Sequence, residues 1–314
     1  MLNLVRLRTW VRENQIMVVL LGIILGLVFP STFHRINAIG TPLLICVFFF
    51  SSLRLSFAEV VRYIRDWRML VIVSAYMLLV MPFAMYLPLR FFSPDWALAL
   101  LIIGAVPTGM TIALIADYFH GNSSLALVVT AVTSLIAPIT IPLVFTVAIG
   151  QTVQIPVLHM FWSLCLTIVV PFMLAMLVQR ASPRLVKRHN MFFHEASIAA
   201  FGLLITGIVA DSTGSTSMTL HWHDAFFLFI GLALMGLLTF ASYEIVPWRK
   251  PSERITIALC MAYVNNTLAL FIADKFFRVQ HVLPKLVLLL VAINLLLPPI
   301  RIAAKRIADH HFYA

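Results

Sequence analysis

The 314-residue chain has few charged residues for its length. Only 11% of its residues are Asp, Glu, Lys or Arg, whereas 62% are hydrophobic. Soluble domains carry about 25% charged and about 45–50% apolar residues. A chain of this composition has too little polar surface to enclose a globular core in water. The composition therefore excludes a soluble enzyme and a disordered chain, and it indicates a membrane protein.

Cysteines and nucleotide- or zinc-binding motifs are scarce or absent. The three cysteines, Cys46, Cys165 and Cys260, are scattered through apolar stretches, where they form neither a disulfide framework nor a CxxC metal pair. The sequence contains no GxxxxGK[ST] motif and no HExxH motif, which excludes an ATP-driven pump with a phosphate-binding loop and an intramembrane zinc protease. We predict no cofactor and no metal site.

Positive charge is the one charge in excess. The 22 Lys and Arg residues outnumber the 12 Asp and Glu residues, and the formal net charge is +10. The basic residues lie between hydrophobic runs rather than along one face, so the excess does not predict a nucleic-acid partner. Basic charge in this pattern sets the orientation of a protein in a bilayer.

Long apolar runs dominate the sequence. A transmembrane helix needs roughly 20 predominantly apolar residues. This length criterion predicts ten spans, at residues 16–34, 38–55, 68–88, 95–119, 122–149, 155–179, 192–211, 224–246, 253–276 and 281–302.

The basic residues divide unequally between the two sides of these ten spans. With a cytoplasmic N-terminus, 17 of the 22 Lys and Arg residues fall in segments on the inner side. This division follows the positive-inside rule. We therefore predict a multi-pass membrane protein with both termini in the cytoplasm.

A short repeat links the two halves of the chain. Residues 111–119 are TIALIADYF and residues 267–277 are TLALFIADKFF. The two copies lie in spans four and nine, which are five spans apart and therefore cross the membrane in opposite directions. Inverted repeats of this kind are typical of secondary transporters. We predict two inverted five-helix repeats, residues 1–150 and residues 151–314.

Both copies of the repeat follow residues that interrupt a helix. Span four contains Pro107-Thr108-Gly109, and span nine contains Asn265-Asn266-Thr267 at the corresponding depth. In lipid, unwound backbone persists only where protein covers it or where it lines a wet cavity. We predict a central substrate site formed by polar residues at the two breaks, with hydrogen bonding between helices as the alternative role: Thr108, Thr111, Asn265, Asn266 and Thr267.

The region around the first break resembles the bile acid:sodium symporter superfamily and its bacterial members. The matching stretch is GAVPTGMTIALIADYFHGNSSLALVVTAVTSLIAPITIP at 104–142, and MAYVNNTLALFIADKFF at 261–277 matches the second crossover helix. The resemblance implies an all-α polytopic fold of ten helices. A panel domain would comprise spans 1, 2, 6 and 7, and a core domain would comprise spans 3–5 and 8–10. Discontinuous helices 4 and 9 would cross in the core, with substrate bound against them in the cleft that faces the panel.

The sequence departs from this family at the first sodium site. The resemblance implies that the ligand positions are Ile112, Ala113, Ala126, Thr130 and Met261, where family members have Ser, Asn, Ser, Thr and Glu. Only Thr130 retains a side-chain oxygen, and hard cations need several oxygen ligands. We therefore predict that this sodium site is lost.

Four polar residues are candidates for coupling to an ion or a proton. Asp117 and Asp274 occupy equivalent positions in the repeat, and carboxylates within spans are functional candidates by default. The alternative is that both are solvated at the membrane surface. Thr130 and Ser134, on span five, face the same region in the family pattern. Because the two aspartates are predicted near opposite membrane faces, they cannot form the catalytic dyad of an aspartyl protease.

Together these features predict a secondary transporter rather than an enzyme. The resemblance to bacterial family members implies a small organic anion as the substrate, carried across the bacterial inner membrane by alternating access. Transport would be coupled to H⁺ or uncoupled. A Na⁺ symporter that uses backbone ligands is the alternative, and a channel is a more distant one.

Overall fold

The computed structural model describes residues 15–53, 63, 66–109, 112–151, 153–215, 222–277 and 282–295. Within these residues the chain is helical, and no β-strand is formed. The helices are α1 Gln15–Val28, α2 Pro30–Ser52, α3 Trp67–Tyr86, α4 Pro94–Ala105, α5 Ile112–Tyr118, α6 Ser123–Ile149, α7 Val157–Ala181, α8 Pro183–Ser215, α9 Trp222–Glu244, α10 Pro251–Ala262, α11 Asn266–Phe276 and α12 Leu283–Leu295.

Six of these helices are long and apolar enough to cross a membrane, namely α2, α3, α6, α7, α8 and α9. Helices α1, α4 and α12 are apolar but shorter. The predicted class, an all-helical polytopic membrane protein, is confirmed at this level. The irregular segments within the long helices are a 3₁₀ stretch at His34–Ile39 in α2 and π-helical turns at Tyr76–Val80 in α3 and Cys165–Val169 in α7.

Two helix starts differ from the predicted spans. Helix α2 begins at Pro30, within predicted span one, because a proline lacks the N–H that would continue α1 but is tolerated in a first turn. Helix α8 begins at Pro183, nine residues before predicted span seven (192–211). The hydropathy criterion treats the charged residues there as a loop. The helix continues because Val186 packs in a buried cluster with Leu53 and Ala175.

The contacts divide the chain into two compact units. Unit 1 comprises the described parts of Met1–Phe57, Ile155–Thr219 and Thr267–Leu283. Close packing of small residues joins α1 to α8 within it. A Cβ on Gly22 would lie 3.1 Å from the Gly202 carbonyl oxygen, and one on Gly26 would lie 2.9 Å from the Thr206 carbonyl oxygen. Small residues let membrane helices approach this closely, which increases van der Waals contact.

Unit 2 comprises the described parts of Ala58–Gln154, Leu220–Asn266 and Pro284–Ala314. Helix α6 packs against α3, α4, α5 and α10 within this unit. The fully buried Trp96 of α4 donates from Nε1 to Asp224 Oδ1 in the first turn of α9 (2.7 Å). A carboxylate there also interacts favourably with the positive end of the helix dipole. Unit 2 contains the first predicted break and, of the second, Asn265 and Asn266.

Candidate functional site

Both predicted interruptions are present, and the prediction of broken helices is confirmed. Helix α4 ends at Ala105, and Val106 is extended (φ −81°, ψ 148°) because the following Pro107 disfavours helical backbone at the residue before it. Helix α10 ends at Ala262, and α11 begins at Asn266. No proline lies at this second break. Asparagine side chains favour such ends because they compete with the backbone for hydrogen bonds.

The two unwound segments pair with each other within unit 2. Thr108 and Val264 form an isolated antiparallel bridge. The Gly109 N–H donates to the Tyr263 carbonyl oxygen (2.7 Å), and the Asn265 N–H donates to the Pro107 carbonyl oxygen (2.8 Å). Backbone that cannot reach water must find partners in protein. The crossing therefore satisfies polar groups that the breaks expose, and it joins segments more than 150 residues apart in the sequence.

The Thr108 side chain forms hydrogen bonds within this crossing. Its hydroxyl donates to the Cys260 carbonyl oxygen (3.2 Å) and approaches Met77 Sδ (3.3 Å), and the residue is fully buried. A hydroxyl has one hydrogen to donate, so only the lone pairs of this oxygen remain for a ligand. Among the predicted substrate residues, the Thr108 side chain and the Asn265 backbone both have structural roles in the crossing.

The remaining predicted substrate residues differ in their surroundings. Asn265 and Thr267 are buried. Asn266 begins α11, and its buried Oδ1 accepts no hydrogen bond from any described residue. Thr111 lies outside the described residues. A buried amide oxygen without a donor is costly, and such groups call for a ligand, an ion or water as an explanation.

Ser134 supplies a second set of unsatisfied oxygens on α6, which packs against α5 and α10. Its side chain is 1% exposed, and no described residue bonds its Oγ. Pro138 lies four residues further along the same helix and has no N–H, so the Ser134 carbonyl also lacks its helical donor. Thr130, one turn earlier, donates to the Ala126 carbonyl oxygen (2.8 Å). The Ser134 oxygens are therefore available to a ligand, whereas the Thr130 hydroxyl hydrogen is donated within its own helix.

Four of the five positions that the resemblance assigns to sodium ligands are apolar and buried. Ile112, Ala126 and Met261 are fully buried, and Ala113 is 8% exposed. None of these side chains offers an oxygen.

The two repeat-related aspartates have different environments. Asp117 is exposed near the end of α5 in unit 2. Asp274 is half-buried on α11 in unit 1, where its Oδ2 accepts from Asn37 Nδ2 (3.1 Å). The same amide nitrogen donates to Asp211 Oδ2 on α8 (2.9 Å). Asn37 and Asp211 were not predicted. In the sequence, Asn37 and Asp211 are visible only as polar residues at the ends of two different apolar stretches.

A further polar contact that was not predicted holds the turn between α5 and α6. The Asn122 side chain caps α6 by accepting from the Leu125 N–H (3.0 Å), and its Nδ2 donates to the Tyr63 hydroxyl (2.7 Å). The Asn122 N–H donates to Thr256 Oγ1 on α10 (2.7 Å). A Cβ on Gly121 would lie 2.7 Å from the same oxygen, so only glycine fits there. This turn fixes the far end of α5 to α10.

Comparison with known proteins finds matches over most of the chain. The model of the SBF-like CPA transporter family matches residues 13–296. Sodium/bile acid cotransporter 7 of Danio rerio is 22% identical over 272 residues, which cover 80% of this chain and 81% of that protein. Sodium/bile acid cotransporter 7-B of Xenopus laevis is 24% identical over 275 residues, covering 80% and 79% of the two chains. These are similarities over almost the whole of the helical region.

Proposed function

The chain belongs to the SBF-like CPA transporter family, and we propose that it carries a small organic anion across the bacterial inner membrane by alternating access. Membership of a transporter family, together with several apolar helices long enough to span, makes it a multi-pass transport protein and not an enzyme. The substrate class, the coupling and the membrane are the parts that we propose.

The observation that carries the proposal is a buried polar crossing together with two unsatisfied buried oxygens in the same unit. The two backbones pair at Thr108 and Val264, while Asn266 Oδ1 and Ser134 Oγ have no partner among the described residues. Transporters bind substrates at broken helices near the bilayer midplane. Both oxygens accept hydrogen bonds, and the Ser134 hydroxyl also has a hydrogen to donate to a carboxylate. Substrate, or water when substrate is absent, would then be the hydrogen-bond partner of these two oxygens.

Ten spans are the topology that best suits these helices. The six long helices, the shorter α1 and α12, and the interrupted pairs α4–α5 and α10–α11 make ten. Each interrupted pair covers about 25 residues, more than the roughly 20 that a membrane span needs. We assign residues 1–150 and 151–314 to inverted repeats, with spans 1, 2, 6 and 7 as the panel and spans 3–5 and 8–10 as the core.

The charge distribution supports cytoplasmic termini, with 17 of 22 basic residues on the inner side. Labelling of single cysteines in a cysteine-free background tests this orientation. Ser182→Cys is expected to react with a membrane-impermeant maleimide only from the cytoplasm, and His223→Cys only from the outside. Both residues are exposed, so reagent access does not limit either reaction. Reaction of both from the same side would contradict the topology.

Sodium coupling is not supported by the residues at the crossing. Four of the five positions that correspond to the family's sodium ligands have buried, apolar side chains. The carbonyls of Pro107, Cys260, Tyr263 and Val264 already accept hydrogen bonds. Sodium needs several oxygen ligands together, so it would have to share these carbonyls with their present donors. We therefore propose transport that is proton-coupled or uncoupled.

Sodium symport with backbone ligands is the second candidate, favoured by the names of the vertebrate relatives, which are sodium/bile acid cotransporters. Carbonyl oxygens keep a second lone pair after accepting one hydrogen bond, which is what this candidate requires. Replacement of Na⁺ by K⁺ in a transport assay distinguishes the two candidates. Uptake is expected to remain unchanged under the first and to fall under the second.

If a proton couples transport, Asp274 is a better candidate for its carrier than Asp117. Asp274 is half-buried and hydrogen-bonded to Asn37, whereas Asp117 is exposed. A carrier must pass between solvent and a desolvated state, and partial burial provides that change.

Uptake by the purified protein in proteoliposomes tests the function. Radiolabelled pyruvate, lactate and taurocholate sample keto acids, hydroxy acids and bile salts. We expect saturable uptake of at least one of the three, accelerated by the same unlabelled anion on the opposite side. Uptake indistinguishable from that of protein-free liposomes for all three, by protein that remains folded, would refute the proposed substrate class.

A further inference from the structure

Lys275 is a cation without a carboxylate partner among the described residues. It lies next to the end of α11, and its Nζ donates to Ser163 Oγ of α7 (2.9 Å). The ammonium also lies 5.2 Å from the ring centroid of Phe271 and 5.9 Å from that of Phe276. All of these residues belong to unit 1. An ammonium has three hydrogens to donate, and this contact uses one of them.

Two other basic residues near the ends of described helices are paired with carboxylates. Lys285 forms an ion pair with Asp95 (3.1 Å), and Arg254 forms one with Glu244 (2.6 Å). Asp274 precedes Lys275 in the sequence, but its carboxylate is bonded to Asn37 of α2. Adjacent residues of a helix point about 100° apart. Asp274 therefore faces α2 while Lys275 faces α7.

The surroundings of Lys275 suit an anionic ligand with an apolar body. Ser163 is buried, and its own hydroxyl hydrogen has no acceptor among the described residues. The hydroxyl therefore has a hydrogen to offer next to the free hydrogens of the ammonium. Phe276 packs edge-on against His159 of α7 (5.7 Å between centroids), which places a second aromatic surface beside the same position. A few polar donors set among apolar rings are typical of small-molecule sites.

We propose that Lys275 and Ser163, with the ring of Phe276 beside them, form a binding site for the carboxylate or sulfonate of an amphipathic organic anion. The charge count predicts that this end of α11 lies outside, so the site binds the anion on that side of the membrane. The ligand class rests on the proposed transport function, although the site itself does not. Lys275 supplies the charge, Ser163 supplies a second donor, and the half-buried Phe276 ring covers the apolar part of the ligand.

Equilibrium binding and uptake, measured on the same variants with radiolabelled taurocholate, pyruvate and lactate, test this site. Lys275→Met keeps the apolar stem and removes the charge. Loss of one charge-assisted contact predicts an increase in Kd and KM of about tenfold, with the maximal rate little changed. The control is Lys285→Met, which removes a lysine that is already paired with Asp95, and it is expected to leave both constants unchanged.

Salt dependence and a second variant separate binding from a structural role. The wild-type Kd is expected to rise as KCl is raised from about 20 to about 300 mM, and the Kd of Lys275→Met is expected to be insensitive, because salt screens exposed charge. Ser163→Ala should raise Kd less than Lys275→Met. Equal losses of melting temperature in the two variants with unchanged Kd would show that the contact only ties α11 to α7, and would overturn the proposal.

Equilibrium binding and uptake, taken together, also distinguish this inference from the proposed function. Binding that depends on Lys275, without any uptake, would refute transport of these anions and support the site. Uptake with the same KM in Lys275→Met and the wild type would support transport and refute the site. Failure of the wild type to bind any of the three anions would refute the site as well.

Discussion

Substitution of Gly109 by alanine tests whether the two unwound segments must lie as close together as the structure has them. A Cβ at Gly109 would lie 2.8 Å from Tyr263 Cδ1, 2.9 Å from Tyr263 Cε1 and 3.0 Å from the Val264 carbonyl oxygen. No described glycine has a positive φ, so the constraint at Gly109 is space rather than backbone conformation. The tyrosine ring can rotate, but the carbonyl belongs to the paired backbone and moves only with the crossing.

The expected cost follows from this geometry. Extra methyl groups in well-packed interiors cost about 1–3 kcal/mol. We therefore expect Gly109→Ala to lower the melting temperature of the purified protein by about 2–8 °C. Uptake should fall further than stability alone accounts for, because the shift displaces Asn265 and Asn266 at the same break.

Gly236→Ala is the matched control. Gly236 lies in the interior of α9, and an added Cβ there meets no atom within 4 Å. Alanine is favoured over glycine in a helix by about 1 kcal/mol, so this variant should be at least as stable as the wild type. The reasoning is refuted if Gly109→Ala melts at the wild-type temperature and transports at the wild-type rate.

Three further predictions concern the turn, the ion and the proton. Thr256→Val removes the acceptor of the Asn122 N–H. Because a buried donor loses its partner, we expect the free energy of unfolding to fall by about 1–3 kcal/mol in thermal unfolding. A change under about 0.5 kcal/mol would contradict the role given to this contact. NaCl is expected to raise the melting temperature no more than equimolar KCl. A saturating increase that is specific to sodium would show that the protein does bind this ion. If uptake by the wild type depends on pH, Asp274→Asn should remove that dependence and Asp117→Asn should retain it, while the opposite outcome would exclude Asp274 as the carrier.

Local features of the sequence were sufficient to predict the class of fold and the two breaks. Apolar runs of helical length identify membrane helices because lipid offers the backbone no partners. Pro107 and Gly109 disrupt a helix through their own chemistry, and Asn265 and Asn266 do so more weakly. These effects act within a few residues, and the structure bears out the interruption at both places.

Contacts between distant segments could not be predicted in the same way. Nothing in the residue types at Thr108 and Val264 specifies that their backbones pair, because backbone groups are the same in every residue. The amide that joins Asp274 to Asp211 comes from Asn37, more than 170 residues away from either. The early start of α8 was missed because a hydropathy criterion cannot detect a helix whose charged residues are exposed while Val186 is buried.

The most direct test of the central claim is the exchange of an organic anion by wild-type protein and by Asn266→Ala in proteoliposomes. Asn294→Ala is the control, because Asn294 is also buried but donates within its own helix to the Leu290 carbonyl oxygen (2.7 Å). We predict saturable exchange that is equal in Na⁺ and K⁺, lost in Asn266→Ala and retained in Asn294→Ala. Full exchange by Asn266→Ala, or a flux that does not saturate, would contradict a substrate site at the crossing.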